Sequence, residues 1–335
     1  MKTLLQYLFT GKSLSQEQAF IALKDIASGN QNEAQVAAFL SVYNMRIPTV
    51  DEVTGFRKAM LELATPIKFK HKNTLDIVGT GGDGKDTFNI STLAAFVCAG
   101  AGVKVTKSGN YGFSSVSGAS NVLECNGIKF ATTEQQLNEQ LEASNITFLH
   151  APLFHPAIKN VANVRKQLQV KTIFNLLGPL VNPCNPKTKI IGVHSEFVGK
   201  LYKEVLKSTT ENFAIVHSLD GYDEISLTGD TRVFTKKNIQ IHEPSSFSFK
   251  PVKKEELYGG KTIAANAKLF MNILKGKGTP SQNNVVIANA ALAISLYEQN
   301  SYHAAVRIAQ QSLYSGKALE SFNALKKISN SIPNK

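Results

Sequence analysis

Between Thr74 and Thr92 the chain runs from a short β-branched segment, Thr74-Leu75-Asp76-Ile77-Val78, into Gly79-Thr80-Gly81-Gly82-Asp83 and on to Thr87-Phe88-Asn89-Ile90-Ser91-Thr92. A buried strand that ends in three glycines within four positions, with a helix starting just beyond, is the βα turn of a layered sheet. Glycine permits positive φ and lets the backbone approach a ligand closely. The helix start behind it offers free N–H groups and a partial positive charge of about half a unit. Loop and helix start together form a phosphate site in principle. Two familiar loops are excluded: no Gly-Lys-Ser/Thr follows, and Gly79, Gly81 and Gly82 miss the dinucleotide spacing. On local physics alone an ordinary capped turn explains the pattern equally well.

The same alternation extends along the chain. Helices are expected over Leu93 to Ala101, Ser117 to Cys125, Leu137 to Ala143 and Phe197 to Leu206. Strands are expected over Val103 to Thr106, Ile146 to Leu149, Lys189 to Val193 and Phe213 to Val216, with an antiparallel pair over Arg232 to Ile241. This is a largely parallel sheet covered on both faces. Late helices follow from Thr262, Asn284 and His303, and the polar tail from Ser329 should fray. The first 65 residues differ, showing only helical periodicity. Ser15 with Gln18 and Thr49 with Glu52 have capping-box spacing, and Val36, Phe39, Leu40 and Tyr43 share one face. Pro156 to Leu177 also reads as purely helical. The expected fold class is α/β: a small all-helical lobe over 1–70, completed by about 156–180, and a larger α/β lobe over 73–155 and 185–330. In that larger lobe a mostly parallel central sheet is flanked by helices.

Composition narrows the class. The chain has 335 residues, 43% hydrophobic and 19% charged, so it is neither disordered nor membrane-spanning in character. The apolar run Leu93 to Val103 is too short to cross a bilayer, which takes about 20 residues, and the first residues carry no secretion pattern. Cys98, Cys125 and Cys184 are far apart and form no CxxC, which fits a reducing, cytoplasmic setting. A net charge of +12 favours anionic partners without choosing among them.

Three further segments could carry chemistry. Lys107 to Glu124 holds three glycines and five serines behind a lysine, a density of small donors suited to an oxyanion. Asp223-Glu224, in a loop after a strand, could hold Mg²⁺ through substrate phosphates, because Mg²⁺ commonly takes only one or two protein carboxylates. Taken alone, an exposed acidic turn is the more economical reading. Arg165 lies on a helix and could pair with a carboxylate. His155 reads as a structural histidine beside Pro156. No histidine spacing suggests a metal site, and no residue is assigned as general acid or base.

Taken in order, Gly79 to Asp83, Asn89 to Thr92, the Lys107 loop, His155-Pro156-Ala157 and Asn175-Leu176-Leu177-Gly178-Pro179 resemble the anthranilate phosphoribosyltransferase family over nearly the whole chain. The resemblance implies transfer of phosphoribose from phosphoribosyl pyrophosphate to the amino group of anthranilate, in tryptophan biosynthesis. It implies that the donor is bound by Gly79, Gly82, Asp83, Thr87, Asn89, Ile90, Ser91, Thr92, Lys107, Ser108, Gly109, Asn110, Tyr111, Gly112, Phe113, Ser114, Ser115 and Ala119. Gly79, Asn110 and Arg165 would hold anthranilate, with Arg165 on its carboxylate. Ser91, Asp223 and Glu224 would bind Mg²⁺, two ions accompanying the donor. A homodimer through the helical lobe is also implied, with no membrane partner. Three positions depart from the family pattern: Ser108 stands where histidine is common, Tyr111 where arginine is common, and Ala119 where serine is usual, with Ser120 beside it. Two rivals remain: a pyrimidine nucleoside phosphorylase, and a transferase-like nucleic-acid-binding protein. The acidic pair disfavours the second, because carboxylates repel a phosphate backbone.

Overall fold

A computed structural model describes residues 1–112 and 115–331. The chain divides into two compact units, Met1–Ile67 with Ala151–Asn185, and Lys68–His150 with Pro186–Lys335.

The first unit is helical. Ser15 and Thr49 both form the expected capping boxes, at the helices Gln16–Ala27 and Val50–Glu62. Glu52 does more than cap. Its carboxylate is buried, accepts the N–H of Leu14 at 2.9 Å and the hydroxyl of Tyr43 at 3.1 Å, and pairs with Arg46. These two helices pack so closely that a Cβ on Gly55 would lie 2.2 Å from the Gln16 carbonyl oxygen. Arg57 donates to the Leu180 carbonyl at 3.0 Å and to Asn185 Oδ1 at 3.1 Å, tying the later segment to the early helices. Pro156 to Leu177 is not one helix. Helix Lys159–Leu168 ends at Gln169, whose φ is +54°, and a second, shorter helix spans Ile173–Leu177. No glycine or proline marks the break.

The second unit carries a seven-stranded sheet. Its strands are β1 (Leu75–Gly79), β2 (Val105–Gly109), β3 (Ile146–His150), β4 (Thr188–Gly192), β5 (Asn212–Ser218), β6 (Thr231–Thr235) and β7 (Ile239–His242). Their order is β3-β2-β1-β4-β5-β6-β7, parallel from β3 to β5 and antiparallel from β5 to β7. This is the α/β class expected from the sequence. The chain builds outward from β1 to one edge, then returns to β4 on the other side of β1. Such a reversal opens a crevice beyond the carboxyl ends of the strands, where ligands bind in open α/β sheets. Helix Ile90–Gly100 follows β1 and is buried almost throughout. Phe96 meets Phe270 and Phe322 edge-on or nearly so, and Ser312 donates to the Val97 carbonyl at 2.7 Å. Phe322 belongs to a last helix, Lys317–Asn330, that the sequence reading missed. Its apolar stripe is narrow, and the left-handed Gly316 that starts it reads as a loop.

Candidate active site

β1 and β4 both end in glycine, and in both cases the acidic loop explains why. A Cβ on Gly192 would lie 1.5 Å from the Asp223 carbonyl oxygen, and one on Gly79 would lie 2.5 Å from Asp223 Oδ2. Only glycine lets the loop after β5 lie across both strand ends. Beyond β1 the chain turns with positive φ at Gly81 and Gly82, and Thr80 donates its N–H to the Gly192 carbonyl at 2.9 Å.

The acidic pair is gripped from this glycine turn. Asp223 Oδ2 accepts the Gly81 N–H at 2.7 Å, and Glu224 Oε1 accepts the Ser91 N–H at 3.2 Å. The second bond places a carboxylate at the start of helix Ile90–Gly100, where Asn89 makes no side-chain cap. Asp223 is 7% exposed and Glu224 9%, so the exposed-turn reading fails. Burial and the nearby Asp83 charge push Asp223 up to about 7. Burial and the Asp223 charge push Glu224 well above the carboxylate range. The Lys107 charge opposes the upward shift of Glu224. Lys107 is itself buried, which lowers its pKa, while the charges of Asp76 and Glu224 oppose that shift. Its ammonium donates to the Ile77 carbonyl.

The serine-rich loop joins the same place. Asn89 Nδ2 donates to the Ser117 carbonyl at 3.1 Å. Asn121 Oδ1 accepts the N–H groups of both Gly112 and Gly118 at 3.0 Å. Gly109 ends β2 against Phe148, and Asn110 accepts the Tyr111 N–H on its side chain at 2.8 Å. Phe113 and Ser114 lie outside the described residues. Ser115 is exposed beside them.

The remaining expected residues fall in different settings. Ile90 and Thr92 have buried side chains, so only their backbone could face a ligand. Thr87 bridges to Tyr258, which holds the far end of the glycine turn. Asp83 takes the Lys85 N–H on Oδ1 at 3.1 Å, while its Oδ2 is buried without a hydrogen-bond partner. Tyr111 donates its hydroxyl to Glu124 at 2.9 Å and sets its ring edge-on to His150. The buried Ser120 hydroxyl bonds His150 Nδ1 at 2.9 Å, and the Ala119 N–H lies at the helix start. Ser108 turns its hydroxyl to the buried Asp76.

In the helical unit, Arg165 is half-buried. Its guanidinium lies 5.3 Å from the Phe174 ring and reaches Asn175 Oδ1 at 3.5 Å, and burial lowers its pKa. His155 is buried, held down to about 4 by desolvation, with Nδ1 unpartnered.

Sequence reasoning missed Asn289. This buried amide, on helix Pro280–Glu298, accepts the Ile225 N–H at 3.1 Å and donates to the Ile225 carbonyl at 2.9 Å. Ser218 donates its hydroxyl to the Glu224 carbonyl at 2.6 Å from the end of β5. Together they fix the main chain of the acidic pair from both sides. A polar residue amid the apolar run Val285 to Ala293 was the available signal.

Among the described residues no cluster of three or more His, Cys, Asp or Glu forms a metal cage by itself. Asp223 and Glu224 are hard oxygen donors that supply part of a shell. That fits Mg²⁺ completed by substrate phosphates, and two carboxylates held up in pKa gain from a nearby cation.

Comparison with known proteins gives a consistent result. Residues 2–64 match the helical bundle domain of a glycosyl transferase family, and residues 71–319 match its a/b domain. The anthranilate phosphoribosyltransferase of Flavobacterium johnsoniae is 50% identical over 329 residues, 98% of this chain and 100% of its own. That of Bacteroides fragilis strain YCH46 is 47% identical over 321 residues, covering 96% and 97%. Among solved structures, the anthranilate phosphoribosyltransferase of Thermus thermophilus superposes with a TM-score of 0.91 at 32% identity, over 97% of this chain and 99% of that one. The enzyme of Saccharomyces cerevisiae in complex with PRPP and Mg superposes with a TM-score of 0.91 at 27% identity, over 99% of each chain.

Proposed function

The chain belongs to the anthranilate phosphoribosyltransferase family, and we propose that the crevice beyond β1 and β4 is where it binds the diphosphate of its donor. The reaction moves phosphoribose from phosphoribosyl pyrophosphate to the amino group of anthranilate, a step of tryptophan biosynthesis. It yields phosphoribosyl-anthranilate and pyrophosphate.

The observation that carries the site is the convergence of Gly81, Ser91 and the buried acidic pair at one strand end. The donor's diphosphate lies against the backbone of Gly79, Gly82, Asp83, Asn89, Ile90, Ser91 and Thr92. Thr87, residues 107–112 and Ser115 line it, with the Ala119 N–H at the next helix start. Asp223, Glu224 and Ser91 hold Mg²⁺, two ions with the donor. When bound, the metal neutralises charge on the departing diphosphate.

The chain's own groups do the rest. As the glycosidic bond breaks, positive charge develops on the ribosyl carbon and negative charge on the leaving oxygens. Backbone N–H groups fixed at the glycine turn and at the helix start meet the negative charge without reorganising. The buried Lys107 ammonium adds its field from beneath the strand ends. The family resemblance assigns anthranilate to Gly79 and Asn110, and its carboxylate to Arg165. An aromatic amine is neutral at pH 7 and needs no base before it attacks, which agrees with the lack of an assigned general base.

The functional protein is a homodimer joined through the helical unit, where Phe9, Ile21, Met45 and Ile47 supply exposed apolar surface. It works in the cytoplasm, a setting that its three free cysteines fit.

A fluorescence assay tests the function. Anthranilate emission should fall only when the protein, phosphoribosyl pyrophosphate and Mg²⁺ are all present. Steady emission, with phosphorolysis of thymidine or uridine in a parallel arm, would move the assignment to the nucleoside phosphorylases.

A further inference from the structure

β1 and β2 separate toward the crevice. Among the described residues their backbone register is confined to Leu75 opposite Val105, whereas β1 pairs with β4 over five positions from Leu75 to Gly79. Side chains span the gap. Asp76, 0% exposed, accepts the Ser108 N–H on Oδ1 at 3.0 Å and the Ser108 hydroxyl on Oδ2 at 2.8 Å. Lys107 donates its ammonium across the same gap to the Ile77 carbonyl. Two consecutive residues of β1 thus grip two consecutive residues of β2, one position before Gly109 turns into the loop. A buried carboxylate is tolerable only when paired and hydrogen-bonded, so this contact has one favourable geometry and resists sliding.

Histidine is common in the family at position 108. Here the side chain is short and points to Asp76. We propose that Asp76 is a positioning residue of the donor site: acting through Ser108, it fixes where the Gly109–Gly112 backbone leaves β2. Residue 108 therefore serves the diphosphate and not the aromatic acceptor. This rests on the reading that the loop from Lys107 binds the donor.

The test uses the full chain, as wild type and as Ser108→Ala, Ser108→Thr and Asp76→Asn. Phosphoribosyl pyrophosphate with Mg²⁺ is titrated calorimetrically, and KM is measured for each substrate. Ser108→Ala should bind the donor roughly tenfold more weakly, since a hydrogen bond to a charged group is lost. Its anthranilate KM should hold, and Ser108→Thr should recover donor affinity. Asp76→Asn should weaken donor binding further; should it not fold, the two Ser108 variants decide. Donor affinity unchanged in Ser108→Ala, or a rise in the anthranilate KM alone, would overturn the proposal while leaving the donor site intact. A wild type that binds no donor would overturn the donor site and this inference with it.

Discussion

Asn289 holds Ile225 as a neighbouring strand would, accepting its N–H and donating to its carbonyl from a single side-chain amide. The residue so held directly follows Glu224. Asn289→Ala leaves both backbone groups buried and unpaired, at about 1–3 kcal/mol each before relaxation. Denaturant unfolding should show a loss of that order, and Mg²⁺ activation should shift to higher concentration. Unchanged stability and metal response would show that the acidic pair does not depend on this clasp.

Gly192 is the tightest contact under the acidic loop. In Gly192→Ala the new Cβ must push the Asp223 carbonyl away from 1.5 Å. Overpacking of this kind costs roughly 1–3 kcal/mol, and the displaced loop should need more Mg²⁺ for half-maximal rate. A variant with wild-type stability and metal dependence would place the loop elsewhere.

The double variant Asp223→Asn with Glu224→Gln keeps shape and removes charge. Turnover should fall by about a hundredfold or more, as when a transition-state charge partner is removed. The rate should also lose its Mg²⁺ dependence. Steady-state rates over a Mg²⁺ series check this, and a variant as fast and as metal-responsive as the wild type removes the metal role.

Arg165→Ala removes the guanidinium proposed for the anthranilate carboxylate. A lost charged hydrogen bond predicts a rise in the anthranilate KM of roughly tenfold or more, with the donor's KM changing less. The reverse pattern reassigns Arg165 to the donor.

His155 gives a pH dependence. Burial holds its imidazole down to about 4, below the ordinary 6.5. Between those values the unfolded chain binds a proton that the folded protein does not. Its contribution is therefore complete above about 6.5 and lost as pH falls toward 4. Thermal melts over that range should rise with pH more steeply in the wild type than in His155→Gln. Equal slopes in the two proteins contradict a buried neutral imidazole.

The parts of the fold governed by local chemistry were readable in advance. Glycine spacing after a β-branched strand announces the turn at Gly79, and a hydroxyl three residues before Gln or Glu announces the caps at Ser15 and Thr49. The acidic pair was ambiguous, because its burial depends on Asn289, 64 residues from Ile225, and on the bare Gly192. Ser108 was equally opaque: whether a serine faces ligand or sheet depends on Asp76 across a strand gap. The break at Gln169 escaped notice because no glycine or proline marks it, and the helix Lys317–Asn330 because its apolar stripe is narrow.

The most direct measurement is a crystal structure with phosphoribosyl pyrophosphate and Mg²⁺ bound. The expected result is diphosphate density against the backbone of Gly79 to Asp83 and Ser91, with metal between it and Asp223 and Glu224. Density for the ligand at another place, or an acidic pair turned away from it, would contradict the assignment.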